Sequence, residues 1–208
     1  MIKSVIFDVD GVLLDSFEAN LRFFQDLMRK TGYRPPTREE YPALFHLSML
    51  QVIRVLTKSS DEDEVKKIWK MGKSRSVGYH LELLKHPDGM EDVIQELSKT
   101  YTLAIVTSRV KGTVFEASRL AKLKRYFKVT ITYEDTINHK PHPEPLLLAA
   151  KKLKVSPARA VYIGDVENDV LAARAAGMKV ITYSRKKFRG ANAGTHLFRK
   201  LPALISRL

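Results

Sequence analysis

The chain has no cysteine, which removes disulfides, thiolate nucleophiles and zinc–thiolate sites together. No apolar run approaches the ~18 residues that a membrane-spanning helix requires. Met1-Ile2-Lys3-Ser4 leads straight into a strand-like run rather than a secretory signal, so a cytoplasmic location is expected. Amide side chains are scarce, with four Asn and three Gln, and together with 28% charged residues this hints at a heat-adapted source. Acidic residues are few beside basic ones, 23 against 36, for a formal net charge of +13. Such an excess attracts anions. The basic residues are dispersed, the densest cluster being Arg185-Lys186-Lys187-Phe188-Arg189, and no nucleic-acid motif or aromatic platform accompanies them. The charge therefore reads as a general attraction for phosphate groups, and nucleic acid is not expected as the partner.

What is present fits 208 residues and 44% hydrophobic content: one core, or a core with an insertion. Ile2 to Phe7 form an apolar run that ends in Asp8-Val9-Asp10-Gly11. Beyond Ser16, Phe17, Leu21, Phe24 and Leu27-Met28 recur at helical spacing up to Gly32. After Pro35-Pro36, Thr37 and Glu40 form a capping-box pattern that opens another helical region. Residues 47–57 and 61–78 also read as helices, and strand signals are nearly absent between 16 and 85. From His86-Pro87-Asp88-Gly89 onward the chain alternates. Strands are expected at Leu103–Val106, Val129–Thr132, Ala160–Ile163 and Lys179–Thr182. Helices are expected at Glu91–Ser98, Gly112–Leu123, Glu144–Leu153 and Glu167–Ala176, and the tail from Thr195 holds a short strand and a helix. Alternation of this kind builds a doubly wound parallel α/β sheet. Residues 1–15 and 86–208 are thus expected to form that core, and 16–85 an inserted helical domain.

In such sheets ligands bind beyond the carboxyl ends of the strands, and polar signatures gather there. Asp8 and Asp10 follow the first strand, where residues i and i+2 would point the same way. Two such carboxylates repel unless a cation sits between them or one takes up a proton. An Asp-Gly turn is the plain alternative. Thr107-Ser108-Arg109 follows the second strand, and Gly164-Asp165-Val166-Glu167-Asn168-Asp169 a later one. Lys140, in His139-Lys140-Pro141-His142-Pro143, lies between them in sequence. Several carboxylates call for a hard cation, for which Mg²⁺ with its oxygen ligands is suited. A metal and a lysine neutralise a phosphoryl group in transfer, a hydroxyl and backbone amides hold its oxygens, and one aspartate attacks phosphorus. If a helix begins by Asp165, Asp165 and Asp169 share one of its faces.

Asp8-Val9-Asp10-Gly11, Thr107, Lys140 before Pro-x-Pro, and Gly164-Asp165-x-x-x-Asp169, in that order, resemble the four motifs of the haloacid dehalogenase superfamily. Asp8 to Ser16 and Ala172-Ala173-Arg174-Ala175-Ala176-Gly177 are similar to the phosphoglycolate phosphatase and β-phosphoglucomutase branch, and the helical insertion sits where that branch carries its cap. The resemblance implies that Asp8 is the nucleophile and that Asp10 protonates the leaving group and then activates water. It implies that Thr107 and the Ser108 amide hold the phosphoryl group and that Lys140 neutralises charge. Mg²⁺ would be bound by Asp8, the Asp10 carbonyl and Asp165, with Asp169 in support. Gly11 would permit the turn toward the cap. Ser108 stands where Asn is frequent, Arg109 where Lys is common, and Val166 where a small hydroxyl residue is usual. Leu44-Phe45-His46-Leu47-Ser48 departs from the usual cap loop, which makes His46 a candidate specificity residue. Arg22, Arg54 and Lys58 are further candidates.

The resulting expectation is a Mg²⁺-dependent phosphatase that hydrolyses a small phosphorylated metabolite, phosphoglycolate-like or a sugar phosphate. Its rivals are a phosphoglucomutase-like phosphotransferase, a phospho-accepting receiver and a nucleic-acid 3′-phosphatase. Asp10 argues against a dehalogenase, and the insertion and the Gly164–Asp169 motif argue against a receiver.

Overall fold

The first strand, β1 (Ser4–Phe7), is buried at every position. A strand without a polar face belongs inside a sheet covered on both sides. The computed structural model describes residues 1–208. After β1 come three helices, α1 (Phe17–Lys30), α2 (Met49–Thr57) and α3 (Glu62–Lys73). The chain then alternates through α4 (Met90–Ser98), β2 (Thr102–Val106), α5 (Ser118–Leu123), β3 (Phe127–Ile131) and α6 (Glu144–Leu153). It ends with β4 (Ala160–Gly164), α7 (Glu167–Ala175), β5 (Lys179–Tyr183), β6 (Ala193–Thr195) and α8 (Leu201–Ile205). Two compact units result, one of residues 1–15 and 85–208, the other of 16–84.

The first unit is an α/β fold around one six-stranded sheet of order β3-β2-β1-β4-β5-β6, in which every pairing is parallel. Parallel neighbours need long crossovers, which helices supply between β1 and β2, β2 and β3, and β4 and β5, while residues 184–192 join β5 to β6 without a helix. One face packs Ile6, Ala104, Tyr162 and Val180 against Leu146, Ala149 and Ala150 of α6 and Val170, Ala172 and Ala173 of α7. On the other, Phe7 meets Phe127 and Phe198 at ring separations of 6.2 and 6.4 Å. The chain leaves β1 toward β2 on one side and returns to β4 on the other, so β1 and β4 flank the point where strand order reverses. Crevices form there, beyond the carboxyl ends. Phe7 is level with Ile105 and Ile163, which brings the residues after β1, β2 and β4 out at nearly the same height. Asp15 and Lys85 close the neck of the unit through paired backbone hydrogen bonds of 2.9 and 3.1 Å.

The second unit buries a helical stripe of Leu21, Phe24, Leu27 and Met28 against Tyr41, Val52, Ile53, Val65 and Ile68. Ser48 caps α2 in a reciprocal box with Gln51. The Asp61 carboxylate caps α3 by accepting the Asp63 and Glu64 amides at 2.9 and 3.2 Å.

Three helical expectations shorten. Thr37 and Glu40 do make their capping box, yet it opens only a single 3₁₀ turn, Tyr41–Ala43, because Ser48 starts the next helix a few residues later. The helix expected to reach residue 78 stops at Lys73; Arg75 turns left-handed with φ +57° and Ser76 bonds back to the Met71 carbonyl. The helix expected from Gly112 begins only at Ser118. The Thr113 carbonyl accepts instead from the Arg109 side chain at 3.1 Å.

Candidate active site

Asp8 is the first residue past β1, and its amide still bonds to the Ile163 carbonyl of β4 at 2.9 Å. Its carboxylate is buried. Oδ1 accepts the Val9 amide at 2.7 Å and Oδ2 accepts Lys140 Nζ at 2.8 Å. From Val9 the chain coils, the amides of Val12, Leu13 and Leu14 all converging on the Val9 carbonyl. Gly11 lies in this coil at φ +76°, and a Cβ there would fall 2.0 Å from Asp165 Oδ2. Only glycine meets both conditions.

Lys140 arrives on the segment before α6. Its ammonium has three protons, and each finds a buried partner: Asp8 Oδ2 at 2.8 Å, the Tyr162 hydroxyl at 2.8 Å and Asp169 Oδ1 at 2.7 Å. Asp165 and Asp169 do not meet through helical spacing, since α7 begins only at Glu167. Instead Asp169 folds back, and its Oδ2 accepts the Asp165 and Val166 amides at 3.0 and 3.3 Å. The bond at Val166 is thus made by its own amide, without a hydroxyl side chain. Close approach is again secured by a glycine, because a Cβ on Gly164 would lie 2.4 Å from the Asp169 Cβ.

Thr107 follows β2, is buried, and extends the sheet through its amide to the Ile131 carbonyl at 3.0 Å. Its hydroxyl oxygen accepts the Arg109 amide at 3.2 Å, which leaves the hydroxyl proton to donate elsewhere. Ser108 is half-buried beside it. Asp10 lies beyond the strand, and the two aspartates differ in company. Arg109 holds the Asp10 carboxylate, Nε donating to Oδ2 at 3.0 Å and Nη2 to Oδ1 at 2.8 Å.

The electrostatics follow from burial. Desolvation raises the Asp8 pKa to about 7, against the pull of Lys140, with Asp169 and Asp10 adding to the rise. Desolvation likewise pushes Asp165 well above the usual carboxylate range, helped by Asp169 and Asp8. Burial alone would lower Lys140, but Asp169 and Asp8 hold it well above its ordinary value. With all four aspartates ionised, they would outnumber the two cations by two negative charges. Carboxylate oxygens of Asp8, Asp165 and Asp169 lie within 4.8 Å of one another. A hard divalent cation matches both that charge and that donor set.

Asp8, Asp10, Thr107, Ser108, Lys140, Asp165 and Asp169 therefore all lie at the carboxyl ends of one sheet. His46 belongs to the helical unit and is exposed, on the turn before α2. Arg22 pairs with Asp26 at 3.6 Å and Arg54 with Glu62 at 2.7 Å within that unit, and Lys58 is the left-handed C-cap of α2. Two participants escaped the sequence reading. Tyr162, fully buried on β4, supplies a hydroxyl to Lys140; a tyrosine within the apolar run Ala160–Ile163 was the available signal, because a buried phenol must find a partner. Arg109 reveals its partner only in three dimensions.

The sequence profile of haloacid dehalogenase-like hydrolases matches residues 5–183. The chain is 30% identical over 179 residues to the pyrophosphatase PpaX of Bacillus pumilus, covering 86% of this chain and 81% of that protein. Among solved structures, CbbY from Rhodobacter sphaeroides in complex with phosphate superposes with a TM-score of 0.85 at 25% identity, covering 99% and 100% of the two chains. A subfamily IA, variant 1 hydrolase from Geobacter sulfurreducens superposes with a TM-score of 0.72 at 29% identity, covering 98% and 96%.

Proposed function

Because the chain belongs to the haloacid dehalogenase-like hydrolase family, we propose that it is a Mg²⁺-dependent phosphatase of small phosphorylated metabolites acting through an aspartyl-phosphate. The observation that carries this reading is the buried Asp8 carboxylate, held by Lys140 at 2.8 Å beside Asp165 and Asp169. Asp8 attacks phosphorus and the bond to the leaving oxygen breaks. Asp10 gives that oxygen a proton and then takes one from the water that hydrolyses the aspartyl-phosphate. Thr107 donates its hydroxyl proton to an equatorial oxygen, alongside the Ser108 amide. Lys140 offsets the charge between nucleophile and phosphoryl group and keeps its own orientation through Asp169 and Tyr162. Asp8, the Asp10 carbonyl and Asp165, with Asp169 in support, would hold Mg²⁺, whose charge lets an anionic nucleophile approach an anionic phosphoryl group.

Residues 16–85 are proposed as the cap that selects the ester, with exposed His46 as a specificity residue. The name of the Bacillus relative makes pyrophosphate an early candidate beside phosphoglycolate and sugar phosphates. A panel of these compounds, assayed for phosphate release with Mg²⁺, identifies the substrate. Asp8→Asn is expected to remove turnover by at least ~10³-fold with the fold intact by circular dichroism. Substantial activity in that variant, or full activity of the wild type in EDTA, contradicts the reading.

A further inference from the structure

Asp8 and Asp10 are two residues apart, but each has its own cation. The Asp10 partner is unusually well built. Arg109 reaches both Asp10 oxygens, through Nε at 3.0 Å and Nη2 at 2.8 Å. Its Nη1 donates to the Thr113 carbonyl at 3.1 Å. Its backbone is fixed at both polar groups, the amide donating to Thr107 Oγ1 at 3.2 Å and the carbonyl accepting the Tyr133 amide at 2.9 Å. The Arg109 side chain is only 8% exposed. A planar fork engaging both carboxylate oxygens fixes direction as well as distance. The direction is referred to Thr107, the hydroxyl proposed to hold the phosphoryl group, because Thr107 and Arg109 belong to one turn.

We propose that Arg109 is a positioning residue that aims the Asp10 carboxylate as the base for the second half-reaction and thereby commits the aspartyl-phosphate to water. In that step the water oxygen bonds to phosphorus while the phosphorus–Asp8 bond breaks. The Asp8 carboxylate is regenerated and the water proton passes to Asp10. An Asp10 held in this way shortens the life of the phosphoenzyme and disfavours transfer to a second alcohol. The inference rests on the aspartyl-phosphate reading and concerns only the fate of that intermediate.

p-Nitrophenyl phosphate isolates the step, because nitrophenolate departs without needing a proton and forms the phosphoenzyme independently of the Asp10 acid. In Arg109→Gln, hydrolysis of the intermediate becomes limiting. kcat and KM then fall together by roughly 10- to 100-fold, kcat/KM stays within about threefold, and acid-quenched enzyme carries more labelled phosphate on Asp8 than the wild type does. Arg109→Lys, which grips one oxygen instead of two, gives a smaller fall in the same direction and serves as the test should Arg109→Gln fail to fold. Arg109→Gln in an Asp10→Asn background adds nothing further, as a residue acting through Asp10 requires. A fall in kcat/KM without phosphoenzyme accumulation, additive effects in the double variant, or unchanged kinetics in both Arg109 variants overturns the role of Arg109. A wild type that turns over without ever carrying phosphate on Asp8 overturns instead the aspartyl-phosphate reading beneath it.

Discussion

The strand ends of the sheet and the helical unit of residues 16–84 place their charges in opposite settings. At the strand ends the Lys140 side chain is nearly closed to solvent and donates to buried Asp8 and Asp169 at 2.8 and 2.7 Å. In the helical unit the charged pairs stand in solvent, as with Arg38 and Glu18 or Arg54 and Glu62, around a core of aromatic and aliphatic side chains. Exposed pairs contribute little to stability, whereas a buried pair that loses one member leaves an uncompensated charge. The sheet therefore carries an expensive electrostatic device and the helical unit an inexpensive scaffold. The difference sets the two regions apart, and substitutions should cost far more in the first than in the second.

The largest effect is expected from Lys140→Met, which strands Asp8 and Asp169 in a buried site. A loss of about 3–5 kcal/mol should appear as a lower urea midpoint in the metal-free protein, with activity down at least ~10²-fold. A variant of near wild-type stability would erase the contrast between the regions. Gly11→Ala comes next. The positive φ alone costs about 1–2 kcal/mol, and the added methyl must displace Asp165, a proposed Mg²⁺ ligand, so the Mg²⁺ concentration for half-maximal activity should rise in a titration.

A smaller and more diagnostic effect concerns pH. The folded protein keeps a proton on Asp8 up to about pH 7, whereas the ordinary carboxyl value is 3.8. Between those values the unfolded state binds fewer protons, so stability from this group falls as pH rises and levels off above 7. Asp165 acts in the same sense. The proposed Mg²⁺ would bind the deprotonated carboxylates, so the rise in Tm on adding it should be larger at pH 8 than at pH 5. An equal rise at both values would place the cation elsewhere. The smallest effect is expected from His46→Ala, where an exposed side chain is lost. Tm should not move, and KM for the best ester on the panel should change by less than about tenfold while kcat holds. A large fall in Tm would mean that the helical unit is less of a passive scaffold than its exposed charges suggest.

The contrast also explains what was legible in the sequence. The sheet was readable because buried parallel strands are apolar runs and because Asp8, Thr107 and Asp165 each follow a strand directly, with Lys140 on the segment between β3 and α6. Asp169 was readable as a member of the site but not in its manner, since it bonds backward as a helix cap rather than sharing a helical face with Asp165. The Asp8–Asp10 pair misled in one respect. The strand ends at Phe7, so no alternation rule governs these side chains, and their separation into a Lys140 partner and an Arg109 partner depends on contacts with residues about a hundred positions away. The late start of α5 at Ser118 goes with a local bond instead, from the Arg109 side chain to the Thr113 carbonyl four residues on. In the helical unit the apolar stripe was visible, but the ends at Ala43 and Lys73 were set by Ser48 and by the left-handed Arg75, local choices that periodicity does not register.

The central claim is that Asp8 attacks phosphorus. Enzyme mixed with Mg²⁺ and a ³²P-labelled ester, quenched in acid within one turnover and digested, should yield label on the peptide containing Asp8, and none in Asp8→Asn. Label on another residue, or phosphate release from Asp8→Asn at the wild-type rate, would contradict it.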